Sequence, residues 1–126
     1  MELIVGGAFQ GKSACARERH PELSWQEGAS LSREELLRAG GILNLQDYIR
    51  KEMAQGREVS RLGRELLEKN PDAVVTCREV GCGIVPVEAF DRKWREAVGR
   101  VCTELAEGSC RVVRVCCGIG TVLKDA

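Results

Sequence analysis

The densest chemistry in this chain lies near its start, in Gly6-Gly7-Ala8-Phe9-Gln10-Gly11-Lys12-Ser13. The spacing is G-x-x-x-x-G-K-S, a phosphate-binding loop. Glycines let the backbone turn so that several N–H groups converge on one anion. A helix starting at the end of the loop adds unpaired amides and the positive end of its dipole. Lys12 is then placed to reach the β- and γ-phosphates of a nucleotide, and Ser13 to offer its hydroxyl to Mg²⁺. A glycine turn that only joined strand to helix would not require the Gly-Lys-Ser triplet.

A second constellation runs from Thr76 to Pro86. Glu79 follows an apolar run, where a carboxylate either holds Mg²⁺ through water or orients a hydroxyl nucleophile, or else stays solvated in a loop. Gly81 and Gly83 permit close approach to a ligand. Arg92, Arg95 and Arg100 lie on a helical stretch. With Glu96 they read either as a solvated ladder of i,i+4 pairs or as an anion-binding face. Phe90 and Trp94 fall on the apolar stripe of that stretch and read as packing. His20, the single histidine, stands beside Pro21 with no visible catalytic partner. The chain has 7 cysteines, an odd number, and no C-x-x-C. They read as small buried side chains of a reduced protein and not as a zinc site, with a thiol or metal protein as a third reading.

The elements that must position these groups follow from periodicity. Leu3 to Val5 is a short apolar run stopped by glycines, a buried strand, and residues 12–19 follow as a helix. Ser32 and Glu35 form a capping box, with Leu31 and Leu36 placed as a staple, for a helix over 33–39 ended by Gly40-Gly41. Residues 42–54 and 58–69 have helical spacing, the second closed by Asn70-Pro71. Ala73 to Cys77 is a strand buried on both faces. Residues 87–107 form the longest helix, and Arg111 to Cys117 a last strand ended by Gly118. Pro21 to Ser30 is the loosest segment.

Strands separated by helices imply parallel pairing. The expectation is an α/β fold: a P-loop NTPase-like three-layer domain with a small, mostly parallel sheet of three to four strands flanked by helices. Residues 1–126 would form a single nucleotide-binding domain, its ligand beyond the carboxyl ends of the strands. The composition is that of a globular chain, 44% hydrophobic and 30% charged. Lys plus Arg number 19 and Asp plus Glu number 19, so no basic arm exists to grip nucleic acid. No window suits a membrane span, and Met1 to Val5 is too short for a signal peptide, so a cytoplasmic location is expected.

The loop at 6–13, the string Glu79-Val80-Gly81-Cys82-Gly83-Ile84-Val85-Pro86, the segment Arg92 through Arg95 to Arg100, and the closing Val112 to Gly120 with Lys124 together resemble the adenosylcobinamide kinase / adenosylcobinamide-phosphate guanylyltransferase family. The resemblance covers residues 1–14 and about 72–124, and the E-V-G-x-G-I-V-P string is its most specific part. It implies a role in cobalamin (vitamin B12) biosynthesis or salvage. Such enzymes phosphorylate the aminopropanol hydroxyl of adenosylcobinamide with ATP or GTP and then transfer GMP through a guanylylated histidine. Carried over, residues 6–13 would bind the nucleotide. Lys12 and Glu79 would be catalytic, and Ser13 and Glu79 would hold Mg²⁺. Val80, Gly81, Gly83, Ile84, Val85, Pro86, Arg95 and Arg100 would line the substrate site. A homo-oligomer is implied as well.

Residues 20–70 depart from the family pattern. They read as loop and helices, where the family has two more strands, the guanylylated histidine, and an aspartate ending a strand for the metal. Gly40 to Asn44 stands where that strand would lie, without the aspartate, and Asp47 falls in a helix. His20 is outside the family's histidine context. The reading is therefore a compact kinase without the covalent guanylyl route, the alternative being a nucleotide-binding relative that has lost catalysis.

Overall fold

The structure is a computed structural model, and it describes residues 1–8, 10–79 and 88–126. In chain order the elements are β1 (Glu2–Gly6), α1 (Lys12–Arg19), β2 (Trp25–Glu27), α2 (Arg33–Leu36), β3 (Gly41–Leu43), α3 (Leu45–Ala54), α4 (Leu62–Lys69), β4 (Val74–Arg78), α5 (Ala89–Gly108), β5 (Arg111–Cys116) and β6 (Ile119–Asp125). All strands join one sheet in the order β2-β3-β4-β1-β5-β6. The first five are parallel, and β6 runs antiparallel beside β5.

The mostly parallel α/β sheet flanked by helices is as expected, but it has six strands and not three to four. Each missed strand has a local reason. β2 is Trp-Gln-Glu, short, polar and largely exposed, so it carries no apolar run. It is held to β3 by Trp25 lying over Gly41, where an added Cβ would come within 2.6 Å of the indole. β3 is only three residues, Gly-Ile-Leu, all buried. Ile42 and Leu43 continue in helical spacing into α3, so the helix expected over 42–54 begins in fact at Leu45. Asn44, with φ 58 and ψ 58, makes the break. β6 is an exposed edge strand whose alternation is weak.

The capping box forms as read: Glu35 N–H donates to Ser32 Oγ and Ser32 N–H to Glu35 Oε1. The helix it starts stops at Leu36, short of residue 39. The Asn70 amide donates to the carbonyls of Leu36 and Ala39, which replaces a further helical turn.

Strand alternation divides the core. Leu3, Val5, Val75, Cys77 and Val112 face one way and pack with α2 to α5, whose buried residues include Leu36, Ile49, Leu66, Val98 and Leu105. Ile4, Val74, Val113 and Val115 face the other way and meet Ala16 of α1. The connections leaving the neighbouring strands β1 and β4 therefore go to opposite faces. Such a divergence opens a crevice at the carboxyl ends of the two strands.

The opposite edge of the sheet is tied by charge. Glu2, 6% exposed, accepts from Arg19 Nε and pairs with His20 Nε2, both at 3.1 Å, with Arg111 at 3.4 Å. Burial pushes the Glu2 carboxyl up, but the bonds from His20 and Arg19 outweigh it and hold it below the ordinary 4.5. A depressed carboxylate stabilises the fold above its unfolded-state pKa and loses that contribution as pH falls through the folded-state value. Glu2→Gln is thus expected to lower the urea midpoint at neutral pH. Its gap to wild type should close as pH drops below about 4.5; a gap independent of pH would contradict this. Leu66→Ala, at a fully buried position, is expected to cost about 2–5 kcal/mol in the same measurement.

Candidate functional site

β1 is buried along its length and ends at Gly6. A Cβ on Gly6 would lie 2.5 Å from the Val115 carbonyl oxygen of β5, so only glycine fits between the strands. Gly11, at φ 86 and ψ 26, is the N-cap of α1 and provides no side chain for the first amides of the helix. A helix start without a side-chain cap can give its first amides to an anion.

The far side of the loop rests on the β5–β6 hairpin. Cys116 pairs with Ile119, leaving Cys117 and Gly118 as a two-residue turn. Both have positive φ, 52 and 76, as a type I′ turn needs. The Cys117 N–H donates to Gln10 Oε1 (2.6 Å) and the Gly118 N–H to the Gln10 carbonyl (2.9 Å). The hairpin tip thereby sets the position of Gln10.

Lys12 is 7% exposed, and its ammonium donates to the Gly7 carbonyl at 2.8 Å. Burial, with Arg78 nearby, pushes its pKa down; Cys77 and Glu79 push the other way. The Glu79 N–H donates to the Gly6 carbonyl at 2.8 Å, which places the residue after β4 directly beside the loop. Its carboxylate meets the Arg114 guanidinium at 3.3 Å through both oxygens. Arg114 sits opposite Val5 in the β1–β5 register. Its signal in the sequence was an arginine inside the valine run of a strand.

Further along the carboxyl edge, the Arg78 N–H donates to Gln46 Oε1 (2.9 Å) and the Trp94 indole N–H to the Gln46 carbonyl (2.9 Å). Trp94 packs against the core as expected. Arg50 lies over Phe90 and Trp94, at 5.0 and 4.9 Å, with its guanidinium 3.0 Å from Asp91. Asn44 closes β3: its N–H donates to Thr76 Oγ1 (2.8 Å) and its side-chain amide to Glu27 at 3.0 and 3.3 Å. An amide therefore stands at the strand end where the resemblance calls for an aspartate. Gln46, Arg114 and Glu27 were not singled out from sequence, because their proximity is created by strand order.

The structure brings Gly6, Gly7, Ala8, Gln10, Gly11, Lys12, Ser13 and Glu79 to one end of the sheet. Arg95 and Arg100 are five residues apart on α5 and so point in different directions around it. His20, at the other end of α1, is about 12 Å of helix away from the loop and bonded to Glu2 at the opposite sheet edge. Phe9, Val80, Gly81, Gly83, Ile84, Val85 and Pro86 lie outside the described residues. Between α5 and the sheet, beside Arg78 and Glu79, a cavity of about 360 Å³ is lined by Val5, Val98, Cys102 and Val112.

For a magnesium ion the available oxygens are the Ser13 hydroxyl and the Glu79 carboxylate. This set fits an ion that keeps most of its water and takes one or two protein ligands. Among the described residues no group of three or more His, Cys, Asp or Glu is placed to hold a metal. No helix among them is long and apolar enough to cross a membrane.

A mostly parallel α/β sheet with a glycine-lysine-serine loop at its carboxyl edge defines the architectural class. The sequence model of the family described as cobinamide kinase / cobinamide phosphate guanyltransferase matches residues 36–123. The chain belongs to this family of transferases of cobalamin biosynthesis. The matched span includes β3 through most of β6 and begins after the glycine loop. None of the curated proteins compared with the chain matches it.

The two adjacent loop glycines differ in what a methyl group would meet. At Gly7 the nearest contact is the flexible Gln10 side chain, 3.7 Å away. Gly6→Ala is expected to cost roughly 1–3 kcal/mol of stability through overpacking, and Gly7→Ala much less. Equal unfolding midpoints for the two variants would refute the close approach at Gly6.

Proposed function

We propose that this chain is a nucleotide-dependent kinase that phosphorylates adenosylcobinamide in cobalamin biosynthesis or salvage. The observation that carries the reading is the state of Lys12: a buried ammonium in a glycine loop, bonded to the Gly7 carbonyl, at the start of a helix without a side-chain cap. A buried cation is costly without an opposing charge, and a triphosphate supplies one. Residues 1–126 then act as one P-loop NTPase-like nucleotide-binding domain.

Phosphoryl transfer is mainly positioning and neutralisation of charge. Loop amides from Gly6 to Ser13 would cradle the phosphates, and Lys12 would stabilise charge on the transferred group. Glu79, oriented by Arg114 and by its backbone bond to Gly6, would position the acceptor hydroxyl or a metal-bound water. Ser13 and Glu79 would hold Mg²⁺, which when bound neutralises phosphate charge. The loop from Val80 to Pro86, with Arg95 and Arg100, would line the substrate side, and a homo-oligomer in the cytoplasm remains part of the proposal.

A second reading rests on Asn44 and His20. The strand end that should supply a metal carboxylate carries an amide, and the single histidine faces the wrong edge of the sheet. Both favour a nucleotide-binding relative without catalysis, and both argue against covalent guanylyl transfer through His20.

Transfer of label from the γ-phosphate of ATP or GTP to adenosylcobinamide, with Mg²⁺ present, separates the two. Labelled product is expected from wild type, with a loss of about 10²-fold or more in Lys12→Ala and an unchanged circular-dichroism spectrum. Nucleotide affinity without product would decide for the second reading. Calorimetry showing no binding of either nucleotide would remove both.

A further inference from the structure

The hairpin tip that holds the glycine loop carries two adjacent cysteines. Cys116 and Cys117 are adjacent in the chain and both exposed. Cys117 occupies the first turn position at φ 52, a conformation non-glycine residues seldom adopt. The amides that fix Gln10 belong to Cys117 and Gly118. Gly11 of the loop also packs on the turn: a Cβ there would meet the Gly118 Cα at 3.3 Å. A change of turn geometry at these cysteines is therefore transmitted to the loop through two hydrogen bonds and one backbone contact.

We propose that the Cys116–Cys117 dithiol is a redox modification site through which low-molecular-weight disulfides of the glutathione type weaken nucleotide binding. The functional part of this inference rests on the glycine loop being the nucleotide site. Either exposed thiol of the pair can attack first, and the step is written here for Cys116. Its thiolate attacks the reagent R–S–S–R, forming a mixed disulfide and expelling one RS⁻. The Cys117 thiol gives its proton to solvent, attacks the Cys116 sulfur and expels the second RS⁻. The pair loses two electrons and two protons, and the reagent leaves as two RSH.

The new S–S bond, about 2.05 Å long, closes an eight-membered ring across one peptide. That ring competes with the I′ turn, which needs positive φ at Cys117 and holds its N–H toward Gln10. The oxidised turn releases Gln10, and the loop loses the support of its outer side.

The test treats the full chain with glutathione disulfide, maps the product by mass, and titrates nucleotide by calorimetry with Mg²⁺. The expected result is a Cys116–Cys117 disulfide, a drop in affinity of about tenfold or more, and recovery with dithiothreitol. The control is the double variant Cys116→Val with Cys117→Asn, since valine suits the strand and asparagine the positive-φ position. It should bind like reduced wild type and ignore the oxidant. The buried Cys77 and the half-buried Cys102 are intact in that variant.

Loss of affinity that persists in the variant assigns the effect to other cysteines and overturns the proposal. So does an oxidised wild type that binds as tightly as the reduced one. Amide exchange at Cys117 and Gly118 requires no nucleotide and separates this inference from the functional reading. Exchange there should accelerate on oxidation, and unchanged protection overturns the proposal even if the reduced protein binds no nucleotide.

Discussion

The buried charge of Lys12 is the constraint around which this end of the molecule is arranged. An ammonium removed from water must be compensated, and among the described residues the Gly7 carbonyl at 2.8 Å does so directly. The surrounding elements can be read as the means of keeping that cation fixed and accessible. Gly6 lets the loop leave β1 under the Val115 carbonyl. Gly11 turns the chain into α1, and the Cys117-Gly118 turn braces Gln10 from outside. Glu79 brings a carboxylate to the same end of the sheet, where it is bridged to Arg114.

Strand order makes this arrangement possible. β1 and β4 are far apart in sequence and adjacent in the sheet, and their connections leave toward opposite faces. The Glu79 backbone reaches the start of the glycine loop because β4 lies beside β1. The same order lets α5 carry the chain across β1 to β5, where Arg114 completes the row. The opposite edge is tied by the Glu2, Arg19, His20 and Arg111 cluster. His20 thus has a structural partner well away from the loop.

Family membership and geometry agree on the class of chemistry and diverge on its completeness. The match over residues 36–123 establishes the family. Within it, Asn44 holds Glu27 and Thr76 in a tight polar knot at the end of β3. An amide there can organise neighbours but cannot offer the charge of a carboxylate to a cation. Among the described residues, Ser13 and Glu79 supply the oxygens proposed for metal, and the single histidine, His20, is bonded to Glu2 away from the loop.

Much of the fold was legible from residue order because the relevant forces are local. The glycine loop, the capping box at Ser32 and Glu35, the buried run at Val74 to Cys77 and the apolar stripe of α5 each declare themselves within a few residues. β2, β3 and β6 did not, because a three-residue strand or an exposed edge is stabilised by its neighbours and not by its own pattern. Trp25 over Gly41 is such a case: neither residue indicates a strand until the other arrives. The residues alone determined that a glycine-lysine-serine turn follows the first strand and that the chain is α/β. Only the tertiary structure decided that Glu79 faces Arg114, that Asn44 ends a strand, that His20 lies at the wrong edge and that a cysteine turn supports the loop. Those are contacts between segments 17 to more than 100 residues apart, which hydrogen bonding across a parallel sheet brings together and which no local pattern encodes.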